Sequence, residues 1–227
     1  MAATIENTAF ADRIDNACGH LGLACSDEQR GRLLGYIVAM ERWNKTYNLT
    51  ALREPSLMLV QHVFDSLAPL PDLFNTVGGP QDHIKVCDIG SGGGLPGVII
   101  AIMAPAWNVT CVDAVSKKTA FVQQMIGTLS LPNLGAIHTR VEALKPQGAD
   151  IVISRAFASL LDFATLSGEH VSPDGHLVAM KGKIPDDEIE ILHAETDWRV
   201  QRVQALEVPE LNAQRCLLWM RRNKGNP

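Results

Sequence analysis

No run of eighteen apolar residues occurs in the 227-residue chain, so no segment is long enough to span a membrane as a helix. The first residues, Met1-Ala-Ala-Thr-Ile-Glu-Asn7, lack a basic stretch followed by an apolar one, and a secretory signal is not expected. Cys-x-x-Cys is absent as well. The cysteines are Cys18, Cys25, Cys87, Cys111 and Cys216, an odd and scattered set that argues against a disulfide scaffold and against a zinc site. Cys87 and Cys111 stand in apolar, strand-like runs and read as buried thiols. The pattern suits a reducing compartment, so a cytoplasmic location is expected, with no metal. Positive charge is also short: 20 Lys and Arg against 25 Asp and Glu leave a net charge of −5. A large phosphate-binding footprint usually rests on a basic balance, so this counts against one. A local patch stays open, because Arg215, Arg221, Arg222 and Lys224 share a stretch without an acid. Internal repeats and low-complexity tracts are missing too.

What is present suits one medium α/β domain with an attached helical piece. Residues 1–80 read as a helical cap. Ser26 and Gln29 form a capping-box signature, followed by Leu33, Leu34, Ile37, Val38, Met40 and Trp43 at helical spacing. Asn44 to Asn48 should break that helix. Another is expected from Pro55, carrying Leu57, Val60, Val63, Phe64 and Leu67. The Gly- and Pro-bearing stretch 75–80 reads as the linker.

Residues 81–227 alternate short apolar runs with helical stretches, the signature of βαβ units. Strands are expected at 84–89, 109–113, 136–139, 151–154 and 176–180, with helices at 96–103, 116–130, 159–171 and 186–195. Two further strands, 198–205 and 215–221, have no helix between them. They cannot be parallel neighbours and should form an antiparallel hairpin at the sheet edge. The expected architecture is α/β: a Rossmann-like, mostly parallel seven-stranded sheet with a C-terminal antiparallel hairpin and an N-terminal helical extension.

Asp88-Ile-Gly-Ser-Gly-Gly-Gly-Leu-Pro-Gly97 follows a β-branched strand end and opens a helix. Glycine serves where the backbone needs φ > 0 or a ligand must come close, and a helix N-terminus offers free N–H groups. Gly92-x-Gly94-x-x-Gly97 with Asp113 also satisfies the dinucleotide fingerprint, so the pattern alone does not separate NAD from S-adenosylmethionine. Three features favour S-adenosylmethionine and a class I methyltransferase fold. Asp88 precedes Gly90 by two residues in the order Asp-x-Gly-x-Gly. The chain is short for two nucleotide and substrate domains. Neither Tyr36 nor Tyr47 has a lysine four residues on. Asp113, ending the second strand, is positioned to accept from ribose hydroxyls. Glu142, after the third strand, lies where backbone and side chain meet an adenine.

Asn48-Leu-Thr-Ala, His62-Val-Phe-Asp65-Ser66-Leu, the glycine turn, Arg140-Val-Glu, Ser154-Arg-Ala-Phe and Met180-Lys-Gly together resemble the RsmG (GidB) family. The glycine turn is generic to methyltransferases, whereas Asn-Leu-Thr-Ala, His-x-x-Asp-Ser-Leu and Ser-Arg-Ala are the specific parts. The resemblance implies a bacterial enzyme that methylates N7 of a guanine in 16S rRNA of the small ribosomal subunit. It also implies cofactor contacts at Gly90, Leu95, Val141, Glu142 and Arg155, with Asp113 at the ribose.

Guanine N7 carries a free lone pair, so no proton has to leave and no general base is required. The chain has no Asn/Asp-Pro-Pro-aromatic motif after the fourth strand, the mark of exocyclic-amine methylation, and no Pro-Cys or Thr-Cys is expected to supply a nucleophile for carbon-5 chemistry. Arg155 is the expected catalytic residue. At a central strand end it can clamp the methionine carboxylate, a phosphate or guanine O6, or else pair with Asp150 or Asp162. Lys181 and Lys183 on the same rim are read as RNA phosphate contacts or as solvated lysines. His62, Asp65 and Ser66 share a helical face, either bracing the cap on the core or touching substrate. Asn48 and Thr50 are expected to order a loop over the cofactor. A monomer is expected. Competing readings are a methyltransferase of the same fold acting on a small molecule or protein, and an NAD- or flavin-associated protein.

Overall fold

The computed structural model describes residues 2–155 and 157–223, with the side chains of residues 2–8 excepted. Ala156 and Lys224, both within expected motifs or patches, lie outside the described residues. The cap comprises α1 (Ala2–His20), α2 (Asp27–Tyr47), α3 (Pro55–Met58), a π-helical turn (Leu59–Phe64), α4 (Asp65–Leu67) and α5 (Leu70–Val77). The sheet region follows as β1 (Lys85–Ile89), α6 (Gly97–Met103), β2 (Asn108–Asp113), α7 (Ser116–Thr128), β3 (Leu134–His138), β4 (Ala149–Ser154), α8 (Leu160–Ser167), β5 (Val171–Lys181), α9 (Asp186–Glu195), β6 (Trp198–Leu206) and β7 (Arg215–Arg222). No described helix is long and apolar enough to cross a membrane.

The sheet order is β3-β2-β1-β4-β5-β7-β6. The first five strands pair in parallel, and β7 runs antiparallel between β5 and β6. This is the expected sheet, hairpin included. Successive strand residues point to opposite faces, and the core divides accordingly. Val86, Ile151, Ile153, Leu217 and Trp219 join one apolar cluster, while Cys87, Val152, Leu218 and Met220 join the other. The first cluster also takes in Ile14, Tyr36, Met40 and Phe64 from the cap. Cap and sheet therefore share one continuous core.

Several expected boundaries move, each for a tertiary reason. Helix α2 does not break at Asn44 but runs to Tyr47 and stops at Asn48, which takes a left-handed φ of 49°. Asn44 is buried, and its side chain is satisfied by Leu52 O (2.7 Å) and Thr50 N (2.9 Å) rather than competing with its own backbone. The linker begins at Gly78, because Thr76 and Asp72 of α5 are tied to Arg202 of β6. Helix α8 ends at Ser167, eased by Gly168, whose absent Cβ would sit 2.9 Å from Trp198. Val38 and Leu57, expected on apolar faces, are exposed; in α2 the buried stripe is taken by Leu33, Tyr36, Ile37, Met40 and Asn44. Of the described basic C-terminal residues, Arg221 and Arg222 are neighbours at the end of β7, and Arg215 stands apart from them. Arg215 begins β7 and Arg221 nearly ends it, about 20 Å away at the rise of a strand.

Candidate cofactor and substrate clefts

The turn after β1 is pinned from four sides. Gly90 N and Ser91 N donate to Val112 O at 2.8 and 3.1 Å. Gly97 N donates to Asp88 Oδ2 at 2.8 Å, and Gly92 N to Asp113 Oδ2 at 2.8 Å. The Tyr36 hydroxyl reaches in from α2 to donate to Gly93 O at 2.8 Å. Gly94 has a φ of +83°, and Pro96 stands at the N-cap of α6 rather than in its first turn; the Leu95-Pro96 peptide is cis. Gly97 is required by space: a Cβ there would stand 2.4 Å from Cys111 Sγ. Gly92 is the opposite case, with φ +59° and nothing within 4 Å of its missing Cβ, leaving the turn open to an approaching ligand.

Behind the turn, Asp88 is fully buried and its carboxyl is pushed up to about 7, chiefly by loss of solvation. Its Oδ1 has no partner among the described atoms. Asp113, at the end of β2, accepts Val115 N on Oδ1 at 2.8 Å and Gly92 N on Oδ2, and each oxygen keeps a further lone pair for hydroxyl donors. An open glycine cradle, an acceptor pair at a strand end and an orphaned carboxylate oxygen form a donor set that fits an aminoacyl nucleoside such as S-adenosylmethionine. Thr110-Cys111 is a Thr-Cys dipeptide, but burial raises its thiol well above the ordinary range, so it supplies no nucleophile.

Two hollows open at the carboxyl ends of the parallel strands, where doubly wound sheets bind ligands. The first, about 210 Å³, is lined by Ile89, Gly90, Asp113, Val141, Glu142 and Phe157. The second, about 510 Å³, lies between cap and sheet and is lined by His62, Asp65, Arg155, Lys181, Arg215 and others. A larger hollow of about 610 Å³ sits against Trp198 and Arg221 at the other end of the sheet, away from every strand end that carries the glycine turn. Chemistry and topology both favour the first two.

Asp65 organises the second hollow. It is 4% exposed and accepts Arg215 Nε at 2.7 Å and Arg155 Nη1 at 3.2 Å. Arg155 also donates to Gln61 O at 3.1 Å, so its partner is neither Asp150 nor Asp162. Across the hollow, His62 Nδ1 lies 3.1 Å from Gln61 O, and that carbonyl requires the proton on Nδ1. Nε2 then accepts from Thr50 Oγ1 at 2.9 Å. Burial and the neighbouring Arg155 lower His62 to about 4. It is neutral at pH 7 and suited to bracing rather than to proton transfer. The π-helical turn changes the expected shared face. His62 faces Thr50, Asp65 faces the arginines, and Ser66 is buried with its Oγ unpartnered.

The structure thus gathers Gly90, Asp113, Val141 and Glu142 at one hollow and His62, Arg155 and Lys181 at the other. Gly94 and Leu95 are buried within the turn. Lys181 is engaged by Glu188 at 2.9 Å, which neutralises it as a phosphate contact. Lys183 and Asn48 are exposed and line neither hollow, and Asn48 Oδ1 is held by Arg53 at 2.8 Å. Arg215, Phe157 and Tyr36 were missed by sequence reasoning. The antiparallel β5–β7 register, which pairs Lys181 with Cys216, is what places Arg215 beside Lys181. Nothing local marks Tyr36, a polar tip in an apolar stripe.

The GidB family model, described as rRNA small subunit methyltransferase G, matches residues 29–218. A ribosomal RNA small subunit methyltransferase G of Bordetella petrii is 60% identical over 213 residues, covering 94% of this chain and 83% of the relative. One of Bordetella avium is 58% identical over 225 residues, covering 99% of each. Among solved structures, a SAM-dependent methyltransferase from Aquifex aeolicus matches with a TM-score of 0.53 at 18% identity, covering 76% of this chain and 96% of that one. A ribosomal protein L11 methylase from Lactobacillus delbrueckii subsp. bulgaricus matches with a TM-score of 0.53 at 16% identity, covering 70% and 76%. At those identities the structural likeness establishes the fold alone.

Proposed function

The chain belongs to the rRNA small subunit methyltransferase G family, and from that premise we propose that it transfers a methyl group from S-adenosylmethionine to N7 of a guanine in 16S rRNA. The observation that carries the reading is the pair of hollows at the carboxyl ends of the parallel strands: one bounded by the glycine turn and Asp113, the other by Arg155 held on Asp65. The cofactor, when bound, supplies an electrophilic methyl on a sulfonium. The chain supplies position. Asp113 accepts from the ribose hydroxyls, Val141 and Glu142 flank the adenine, and Asp88 with Gly90 to Leu95 shapes the aminoacyl end. Methyl transfer is an in-line displacement, so holding the reacting atoms in line is the main catalytic contribution. N7 needs no base, and a neutral His62 beside the hollow suits such a reaction. Arg155 keeps donors beyond those used on Asp65 and Gln61, and these serve a carboxylate or guanine O6.

Arg155→Ala is expected to lower methylation of small ribosomal subunits about 100-fold or more by misplacing the reactants, while S-adenosylhomocysteine still raises the melting temperature. Mapping of 7-methylguanosine in the product RNA checks this, and unchanged activity would remove Arg155 from the mechanism. The net charge of −5 favours a second reading, a small-molecule or protein substrate. Absence of methyl transfer to rRNA or subunits, with cofactor binding intact, would select it. Calorimetric binding of NAD in place of S-adenosylhomocysteine would overturn both. Five free cysteines suit a cytoplasmic enzyme. We take it to act as a monomer, which sedimentation tests.

A further inference from the structure

We propose that the end of α2, the loop after it and the start of α7 form a docking ledge for the single-stranded RNA that flanks the target base. This rests on the RNA-methylation reading and names the face that meets the RNA. Trp43 and Tyr47 stack on this ledge with ring centroids 4.8 Å apart and planes tilted by 40°. Trp43 is anchored through Nε1 to Gln124 Oε1 at 2.7 Å, and Tyr47 stands 47% exposed at the outer edge. A fixed indole backing a half-exposed phenol is the platform on which a base stacks, whatever its identity.

Cations flank that platform. Arg53 and Lys117 are exposed, and Lys117 Nζ donates to the backbone carbonyl of Tyr47 at 2.8 Å, which holds its charge at the end of α2. The acid of this face is Glu54; Asp113 lies at its inner margin, 4.0 Å from Lys118, while Lys45 and Glu41 pair with each other on the other side of α2. The face therefore carries a local positive excess on a chain of net charge −5. It borders the cofactor turn directly, because Tyr36 and Met40 of the same helix pack on Gly93.

The opposite rim is unsuited to the task. Lys181 is consumed by Glu188, and Lys183 precedes a helix bearing Asp186, Asp187, Glu188, Glu190 and Glu195. Phosphates are repelled there and drawn to the ledge. Charge segregation thus reconciles an acidic chain with a polyanionic substrate.

The test measures binding of a single-stranded guanine-containing RNA oligonucleotide by anisotropy across a salt series, alongside methylation of naked 16S rRNA and of small subunits. Tyr47→Ala and Lys117→Glu are each expected to weaken RNA binding about tenfold, with S-adenosylhomocysteine affinity unchanged by calorimetry. Lys117→Glu should also flatten the slope of log K against log salt by about 0.7, the share of one phosphate on a single strand. Tyr47→Leu keeps the apolar contact and serves if the alanine variant folds poorly. Arg222→Glu, at the far end of β7, changes the net charge equally and should leave binding near wild type. The ledge is refuted by wild-type RNA affinity in the first two variants, or by an equal loss in Arg222→Glu. It is equally refuted if the variants fail only on small subunits and act normally on naked RNA, which would assign the face to a ribosomal protein. A wild-type enzyme that binds S-adenosylhomocysteine but neither binds nor methylates RNA would instead overturn the parent reading.

Discussion

Asp65 is the residue through which three distant parts of the chain meet. It holds Arg155 from the end of β4 and Arg215 from the start of β7, 90 and 150 residues away. A carboxylate buried to this degree is tolerable only because both oxygens are paired, and it fixes two guanidinium groups whose remaining donors face the hollow. His62, beside it, illustrates a different coupling. Folded His62 is protonated only below about 4, whereas the unfolded side chain takes up its proton below about 6.5. The unfolded chain then binds more protons in that window. The stabilisation is complete above about 6.5 and is lost as the pH falls toward 4. Urea unfolding at several pH values should give His62→Gln a shallower acid loss than wild type, by on the order of 1–3 kcal/mol across the window. Parallel pH profiles for the two proteins would refute this. Asp88 acts in the opposite sense. Its folded carboxyl stays protonated up to about 7, so its burial costs stability as the pH rises from the ordinary carboxylate range.

At the scale of the element, the strand–turn–helix unit from β1 to α6 was legible but for Pro96, which caps α6 instead of opening it, because glycine freedom and strand periodicity are local properties. Gly97→Ala is expected to destabilise the fold by about 1–3 kcal/mol, since the added methyl would meet Cys111 Sγ at 2.4 Å. The displaced turn should also weaken S-adenosylhomocysteine binding. Gly127→Ala, in α7 with nothing near its missing Cβ, should instead stabilise by about 0.4–1 kcal/mol through the unfolded chain. Melting temperatures of the two variants on either side of wild type check both. The helix from Pro55 was legible in place but not in form. Its middle turn is π-helical, which rotates His62 and Asp65 to separate partners, and no local spacing rule announces that. Likewise the continuation of α2 past Asn44 depends on the loop that folds back to satisfy the side chain.

For the whole molecule, one apolar cluster runs from Ile14 through Phe64 and Ile102 to Trp219. Such a shared core predicts that cap and sheet unfold together. Scanning calorimetry should show one transition with equal calorimetric and van't Hoff enthalpies, and Tyr36→Phe should lower stability by about 1 kcal/mol through the lost bond to Gly93. A separate early transition of the cap would contradict it. The seven strands, the edge hairpin, the glycine turn and the positions of Asp113 and Arg155 at strand ends could be read from the chain alone. Each follows from periods of 2 and 3.6 residues or from glycine chemistry, and those forces act within a few residues. The Asp65–Arg155–Arg215 junction, the neutral His62, the engaged Lys181 and the ledge of Trp43, Tyr47 and Lys117 were decided only by tertiary structure. Their partners lie far apart in sequence, and what brings them together is the order of strands in the sheet and the burial that changes their charge.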